Sequence, residues 1–289
     1  MTKRNAEKTS MGQKQKSAVI WFTDEACQDV GLTGGKGASL ARMSAEGLPV
    51  PPGFVVPSYV LEGSLDTERM LELATRQSAE GLQELVARCE PPTEEITAAY
   101  ENLVGAGDAK VAVRSSAVAE DSEAASYAGQ QETYLFVEGA EEVRRRVVDC
   151  WASFFSERAL FYRSEKGSLG DLRMAVVVQK MVDPEKSGVV FTVDPVRHRR
   201  DRIVVEAVRG VGEQVVSGEV TPDHYTLDRN GNLKRQKIVD ERVLMDEELL
   251  KLAELGRRLE DKHGIAQDIE WAIVGEEIFL LQSRPVTTM

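Results

Sequence analysis

The most restrictive feature of this sequence is a pair of apolar–polar alternating runs near its end, at residues 268–274 and 278–284. A period of two is the pattern of β-strands that bury one face. Gly275-Glu276-Glu277 separates the runs and predicts an odd-length loop between two antiparallel strands. The residues expected on the buried face are Ile269, Trp271, Phe279 and Leu281. We therefore expect the chain to contain at least one antiparallel sheet that includes this hairpin.

The polar face of this hairpin is a candidate metal site. With a three-residue loop, Glu270 lies opposite Gln282. Asp268 then lies opposite Arg284, and all four side chains share one face of the sheet. Carboxylate and amide oxygens suit Mg²⁺, and an arginine beside them would hold the phosphates that the metal bridges. The alternative is a solvated sheet face with a cross-strand pair of Asp268 and Arg284.

A second candidate site lies where a β-branched strand at residues 111–113 leads into Arg114. Small polar residues follow, and another strand is predicted over residues 132–137. An arginine offers a fixed fork of donors that matches phosphate oxygens, and small residues let backbone N–H groups approach a polyanion. This stretch is typical of a phosphate-binding loop, although a polar surface loop with an exposed arginine has the same composition.

Glycines and a lysine precede a predicted helix over residues 38–46. The run Gly34-Gly35-Lys36-Gly37 places them at the helix N-terminus, which attracts anions. The run is not a P-loop, because the glycine spacing differs and Gly37 stands where Ser or Thr would bind magnesium. An ordinary turn is the alternative interpretation of these glycines.

Composition and charge exclude some classes of function. The formal net charge of -12 argues against nucleic acid as a partner, because such binding needs a basic surface, but it leaves nucleotides open. No apolar run is long enough to span a bilayer, and the basic, polar residues 1–16 are predicted to be a disordered tail. The three widely spaced cysteines form no metal-ligand pattern, so reduced thiols in a cytoplasmic protein are expected.

The rest of the chain shows helical and strand patterns without a clear chemical signature. Helical spacing of apolar residues predicts one long helix over residues 140–166 and another over residues 246–263, ended by Gly264. Asn230-Gly231 is a strong signal for a tight hairpin. Further strands are predicted at residues 173–182, 188–193 and 203–208, and two or three scaffold helices within residues 58–104.

Six motifs together resemble one protein family. They are GGKGASL (34–40), VRSSA (113–117), ASYAGQQETYL (125–135), GVVFTVDP (188–195), EAVRGVGEQVVSG (206–218), and DIEWAI (268–273) with LLQSRPV (280–286). In this order they are similar to the nucleotide-binding half of phosphoenolpyruvate synthase and pyruvate phosphate dikinase. The same half occurs in rifampin phosphotransferase. The resemblance runs from Ser17 to Val286.

The resemblance implies an α+β, ATP-grasp fold, in which two subdomains, residues 17–180 and 181–289, clasp ATP between their sheets. It also implies ATP and Mg²⁺ as cofactors, and it suggests a role for each site residue. Phosphate contacts would come from Lys36 and Arg114, a glycine loop from Gly129 and Gln130, the adenine hinge from Gln179, Lys180, Met181 and Val182, and a ribose contact from Glu213. Magnesium would be held by Glu270 and Gln282, with Asp268 beside them and Arg284 on the transferring phosphoryl group. Lys36, Arg114 and Arg284 are the expected catalytic residues.

Members of this family pass the phosphoryl group through a histidine on a separate domain. The histidines of this chain are His198, His224 and His263, and none stands in the family's Thr-x-x-Ser-His setting. Each is expected to be a surface or loop residue. The resemblance therefore implies an ATP-binding half that needs a phosphohistidine domain or chain, with the linker expected after Val286.

The final acceptor and the class of function have alternatives. Pyruvate is favoured over an antibiotic as the acceptor, because the dikinases are the more widespread group. A protein that binds nucleotide for regulation, without turnover, is a second possibility. A structural subunit with a decayed site is a third, and the intact hairpin residues argue against it.

Overall fold

Two antiparallel β-sheets form the framework of this protein in the computed structural model. The structure describes residues 16–76, 78–106, 109–118, 132–165, 173–212 and 220–286. Residues 1–15 of the predicted tail lie outside these ranges. Gly129, Gln130 and Glu213, predicted to contact the phosphates and the ribose, also lie outside the described residues.

The first sheet contains five strands in the order β1-β2-β5-β3-β4, each antiparallel to its neighbours. The strands are β1 (Ile20–Trp21), β2 (Gly53–Val56), β3 (Val111–Ala117), β4 (Thr133–Val137) and β5 (Met174–Lys180). The inner strands β3 and β5 are buried along almost their whole length, as their continuous valine-rich runs predict. The predicted site residues Arg114, Gln179 and Lys180 lie on these two strands.

Helix α1 (Val30–Ala45) begins well before residue 38, the predicted start. Asp29 accounts for the earlier start, because its Oδ1 accepts the N–H of Gly31 at 2.8 Å and so caps the first turn. The helix is kinked at Gly34, whose φ of 70° is open to glycine but costly for other residues. Gly34 therefore separates two helical segments, and Gly35, Lys36 and Gly37 begin the second one, at a helix N-terminus as predicted.

Helices α2 to α7 pack on one face of the first sheet. They are α2 (Ser58–Ser64), α3 (Thr67–Thr75), α4 (Ala79–Ala87), α5 (Thr93–Val104), α6 (Ala140–Ser153) and α7 (Glu157–Glu165). Trp151 and Phe155 form a common core with Val113 and Val178 of the sheet. The helices thus cover this face of the sheet, whereas Arg114 and Gln179 lie on its opposite face.

The single helix predicted over residues 140–166 is wrong, because the chain turns between α6 and α7. The N–H groups of Phe155 and Ser156 donate to carbonyls three residues back, which tightens the end of α6. Ser156 then starts α7, since its Oγ accepts the N–H of Ala159 at 3.3 Å. A capping serine inside an apolar helical pattern was the signal for this break.

The second sheet contains six antiparallel strands in the order β11-β10-β6-β7-β8-β9. The strands are β6 (Lys186–Phe191), β7 (Arg202–Arg209), β8 (Asp223–Asp228), β9 (Leu233–Lys237), β10 (Gln267–Val274) and β11 (Glu277–Pro285). Helix α8 (Asp246–His263) packs on this sheet and ends at Gly264 in the left-handed conformation, as predicted. The hairpin predicted at Asn230-Gly231 joins β8 to β9.

A second core joins the two sheets. It contains Leu40 and Met43 of α1, Val177 of the first sheet, and Val205 and Trp271 of the second. The face of the first sheet that α2 to α7 leave open is therefore partly filled by elements of the second half. Two α+β units that meet through antiparallel sheets confirm the expected fold class. None of the helices in the described part of the chain is long and apolar enough to cross a membrane.

The closing hairpin has the predicted pairing but not the predicted loop. Glu270 pairs with Gln282, and Asp268 pairs with Arg284, which confirms the expected register at the polar face. The odd-length loop is wrong, however, because the strands close through the two residues Gly275-Glu276. A regular ladder from that loop would not bring Glu270 and Gln282 together.

A β-bulge at Leu281 restores the pairing that the short loop would lose. Trp271 pairs with Leu280, so Leu281 is the extra residue on β11. The bulge also changes the buried face. Ile278 and Leu280 lie in the shared core, whereas Phe279 and Leu281, which alternation placed there, are only partly buried. Their predicted burial is wrong because the extra residue reverses the alternation.

Candidate nucleotide site

A cleft of about 460 Å³ opens between the two sheets. Its size falls in the range of pockets that hold small ligands. The predicted site residues among those that line it are Arg114, Gln179, Lys180, Met181, Val182, Glu270 and Gln282. The fold therefore gathers the predicted phosphate, adenine and metal residues around one space, although they come from four different strands and one loop.

Arg114 is the buried cation of this cleft. It lies on β3, paired with Thr133 on one side and Val177 on the other, and is only 9% exposed. Its Nη1 donates to the backbone carbonyl of Leu281 at 3.3 Å, across the cleft. Its Nε is buried and has no hydrogen-bond partner within the described part of the chain. A buried guanidinium with a donor to spare is suited to an anionic oxygen.

Lys36 is held next to Arg114 but does not line the cleft among the residues that the structure describes. Its Nζ donates to the carbonyl of Ser115 at 3.1 Å, one residue after Arg114 on β3. Ser116 fixes the same region of α1, since its Oγ donates to Thr33 and accepts the N–H of Gly37. The kinked helix thus places a second cation beside the arginine.

The segment Gln179–Val182 forms one end of the cleft. The Gln179 side chain is buried, and its amide donates to the carbonyl of Pro51 at 3.2 Å. The N–H groups of Lys180 and Met181 donate to Pro52 and Lys110, which fixes the path of the backbone. Among the described residues no acceptor binds the N–H of Val182. A fixed segment with a backbone donor to spare is suited to the polar edge of a base.

Strand β4 contributes residues that sequence reasoning missed. Thr133 and Leu135 both line the cleft, on the edge strand of the first sheet. The ladder to β3 is irregular here, and Phe136 has a positive φ of 57°. The Phe136 N–H donates to the sulfur of Met181, so this irregularity is tied to the predicted hinge. The alternating pattern of residues 132–137 could have indicated Thr133. This residue pairs with Arg114 across the ladder, so their side chains lie on the same face of the sheet.

The polar face of the closing hairpin forms the other end of the cleft. Arg284 donates from Nε to Asp268 Oδ2 at 2.8 Å, and the Arg284 side chain is 48% exposed. Burial raises the pKa of Asp268 above its ordinary value; the charges of Glu270 and Glu206 add to this, and Arg284 opposes it. The carboxylates therefore repel one another, which a bound cation would relieve.

Glu206 is a further carboxylate that the sequence reasoning did not single out. It pairs with Val189 of β6, and Val189 pairs with Glu270, so both glutamates lie in one cross-strand row. The Nδ1 of His224 lies 3.4 Å from Glu206 Oε1 on the neighbouring strand. His224 is therefore a strand residue and half-buried, not the surface or loop residue expected. A lone glutamate in the apolar run of residues 203–208 was the available signal.

Magnesium fits this end of the cleft by the chemistry of its donors. Glu270 and Gln282 present a carboxylate and an amide from paired positions, and both line the cleft. No cluster of three or more acidic, histidine or cysteine side chains that could hold a metal occurs in the described ranges. Two protein oxygens are what Mg²⁺ commonly uses when phosphates supply the remaining ligands. The pair therefore suits a metal that arrives with a nucleotide.

A family model and several known proteins match this chain. The family model described as "Pyruvate phosphate dikinase, AMP/ATP-binding domain" matches residues 30–243 and 230–289. A "Probable phosphoenolpyruvate synthase" of Methanothermobacter thermautotrophicus is 40% identical, over 99% of this chain and 48% of its own length. One of Archaeoglobus fulgidus is 41% identical, over 94% of this chain and 42% of its own.

A relative with a different name is also similar. The "Rifampicin phosphotransferase" of Bacillus cereus is 34% identical, over 94% of this chain and 36% of its own length. The chain thus spans about half or less of the length of these curated relatives.

Proposed function

This chain belongs to the family of the pyruvate phosphate dikinase AMP/ATP-binding domain, and from that premise we propose that it binds ATP with Mg²⁺ and passes a phosphoryl group to a histidine on another domain or chain. The observation that carries the proposal is the contact of Arg114 with β11 across the cleft. It places the predicted phosphate-binding cation beside the strand of the predicted metal ligand Gln282. A triphosphate bound there would meet both.

The two ends of the cleft would divide the nucleotide between them. The segment Gln179–Val182 would hold the adenine through its backbone, and Thr133 would lie between base and phosphates. Gly129, Gln130 and Glu213 are proposed, from the family resemblance, to contact phosphates and ribose. Lys36 would complete the phosphate site if its side chain exchanged the Ser115 carbonyl for a phosphate oxygen.

At the hairpin end, Glu270 and Gln282 would hold Mg²⁺. The ion would supply charge neutralisation across adjacent phosphates. The residues of this chain would then act mainly by position and charge, as is usual for phosphoryl transfer. Arg284 is half-exposed beside Asp268, where it could contact the phosphoryl group as an external acceptor approaches. Lys36, Arg114 and Arg284 are therefore the proposed catalytic residues.

The acceptor histidine is proposed to come from outside the residues described here. His224 faces Glu206, and His198 and His263 lie in a turn and at the end of α8, away from the lining of the cleft. Pyruvate is the proposed final acceptor, because the relatives named for phosphoenolpyruvate are more similar than the rifampicin phosphotransferase. The buried free thiols Cys27 and Cys150 suit a reducing compartment, so we place the protein in the cytoplasm.

The test is transfer of label from ATP. The chain is mixed with Mg²⁺, ATP labelled on the β- or γ-phosphate, and a phosphohistidine domain from a related synthase. We expect acid-labile label on that domain, and none when its histidine is replaced by alanine. ATP binding without transfer to any such domain would instead support a regulatory, binding-only role.

A second candidate differs only in the final acceptor. The similarity to a rifampicin phosphotransferase favours an antibiotic as the alternative to pyruvate. Supplying either acceptor together with the matching acceptor domain would separate the two, since label should leave the histidine only for the correct acceptor.

A further inference from the structure

The outer edge of β11 is bound by the N-terminal half of the chain. β11 is an edge strand, so one row of its backbone groups is not used by the second sheet. Three hydrogen bonds satisfy groups of this edge: Leu280 N–H to the Pro49 carbonyl at 2.8 Å, Ser39 Oγ to the Ser283 carbonyl at 2.7 Å, and Arg114 Nη1 to the Leu281 carbonyl at 3.3 Å. The edge is therefore a seam between the two halves.

The Arg114 bond differs from the other two, because its acceptor belongs to the bulge residue. Leu281 has no partner of its own on β10, and its carbonyl is reached by a side chain that crosses the cleft. Gln282, the next residue, pairs with Glu270. The bulge thus provides the acceptor for Arg114, the proposed phosphate-binding arginine. It also sets the register that pairs Glu270 with Gln282, the proposed metal ligands.

On the basis of the proposed function, we infer that the bulge at Leu281 is a positioning element that anchors Arg114 beside the metal ligands. Nη1 is committed to the Leu281 carbonyl, which orients the planar guanidinium and leaves the buried Nε for an anionic oxygen. A long side chain held this way loses less rotamer freedom when phosphate binds, which strengthens binding. Leu281 acts through Arg114 and is not a catalytic residue.

The competing explanation is that the bulge serves the hairpin alone, by correcting its register or increasing its twist. Deletion of Leu281 separates the two explanations. Without it, Glu270 still lies opposite Gln282 and Trp271 opposite Leu280, so the ladder becomes regular and every paired side chain keeps its face. What is lost is the carbonyl that receives Arg114, together with the Leu281 side chain, which lines the cleft. The Arg114→Ala background separates these two losses, because only the first depends on Arg114.

The same sheet offers a matched control. On its other edge strand, β9, Thr226 pairs with Arg235 and Leu227 pairs with Leu233, so Lys234 is the extra residue of a second bulge. Lys234 lies outside the lining of the cleft. Deleting Lys234 makes the same kind of backbone change at the opposite edge.

The experiment measures the Kd of MgATP by calorimetry for the full chain, the two deletions, Arg114→Ala, and Arg114→Ala combined with deletion of Leu281. We expect deletion of Leu281 to weaken binding by roughly tenfold, the scale of one charge-assisted hydrogen bond. Deletion of Lys234 should change the Kd by less than about twofold. In the Arg114→Ala background, deletion of Leu281 should also change it by less than about twofold, because coupled residues are not additive.

Two outcomes overturn the inference. One is an unchanged or tighter Kd after deletion of Leu281. The other is that deletion of Leu281 weakens MgATP binding equally in the parent and in the Arg114→Ala variant. That result would show that the bulge serves the hairpin alone. A parent chain that binds no MgATP would refute the proposed function instead. The contact between Arg114 and Leu281 would then be tested by thermal unfolding without nucleotide. The changes in melting temperature caused by Arg114→Ala and by deletion of Leu281 should still be non-additive.

If the deletion variant does not fold, Arg114→Ala alone supplies the test. Hydrogen exchange without nucleotide should quicken at the backbone N–H of Gln282, the residue after the bulge, because the seam has lost one of its bonds. Exchange at Ile273 and Ile278, at the far end of the hairpin, should not change. Unchanged exchange at Gln282 would show that Arg114 does not hold this edge.

Discussion

At the scale of single residues, Arg114 in the cleft and Arg284 on the closing hairpin differ in burial and in hydrogen bonding. Arg114 is buried and its Nη1 donates to the Leu281 carbonyl, while its Nε has no hydrogen-bond partner among the described residues. Arg284 is half-exposed and paired with Asp268, whose carboxyl is itself buried. A buried, oriented guanidinium suits a phosphate that stays bound, whereas an exposed one suits a group that must leave with an acceptor.

Arg114 should not tolerate lysine. We expect Arg114→Lys to weaken MgATP binding nearly as much as Arg114→Ala, by about tenfold to a hundredfold, because an ammonium cannot bond the Leu281 carbonyl and a phosphate as one rigid fork. Circular dichroism should show both variants folded. A lysine variant that binds ATP and transfers phosphate at the parent rate would contradict the role given to Arg114.

Glu270 should determine the magnesium dependence. Glu270→Gln removes the charge that the metal needs but leaves the hinge untouched, so ATP affinity measured in EDTA should persist while the gain on adding Mg²⁺ disappears. Glu277→Gln, the same change at the exposed first residue of β11, is the control and should behave as the parent. If both variants retain the metal effect, the metal lies elsewhere.

At the scale of elements, the site depends on two irregular ones. Helix α1 is kinked at Gly34 so that its glycine turn packs on β3, and β11 is bulged so that its edge meets Arg114. Without the kink the glycine turn could not pack on β3, and without the bulge β11 would lose the carbonyl that Arg114 contacts. Such irregularities commonly lie next to functional sites.

Gly34 should therefore be intolerant of any side chain. A Cβ there would lie 2.2 Å from the Ser116 carbonyl oxygen, and the φ of 70° adds backbone strain. We expect Gly34→Ala to lower the free energy of unfolding by about 3 kcal/mol or more in urea titrations. Gly47→Ala is the matched control, with a φ of 67° and no atom within 4 Å of a new Cβ, and should cost only about 1 kcal/mol. Equal losses would show that the packing on β3 contributes little.

At the scale of the whole molecule, the two sheets are not independent bodies joined by a linker. Leu40 and Met43 of the first half lie in the same core as Val205 and Trp271 of the second. The cleft occupies the part of the interface that this core leaves open. A ligand in the cleft would therefore contact both halves and should stabilise the molecule as one unit.

MgATP should raise the melting temperature, because a ligand that binds only the native state stabilises it by mass action. At about a hundred times Kd the gain is about 2.7 kcal/mol, which for a chain of this size corresponds to roughly 4–5 °C. Scanning fluorimetry with and without MgATP would measure it, with MgGTP as the comparison for the base. No shift at millimolar nucleotide would count against the proposed function.

Sequence alone determined the features that depend on near neighbours in the chain. The β8–β9 hairpin and the helix at residues 246–263 follow from short-range periodicity and turn chemistry, and the structure has them. The pairing of Glu270 with Gln282 was also predicted, but from a three-residue loop, whereas the structure reaches it through a two-residue loop and a bulge. The family resemblance supplied the fold class, because six motifs in order are far more specific than any one pattern.

Only the tertiary structure decided the features that depend on which elements meet. The bulge at Leu281 has no local signal, since a three-residue loop would satisfy the same alternation. The row that joins Glu206 to Glu270 requires the strand order β10-β6-β7, which no sequence period encodes. The bond from Arg114 to Leu281 spans residues far apart in the chain. These contacts are set by how two sheets pack across a common core, whereas a sequence pattern records only which face of each strand is apolar.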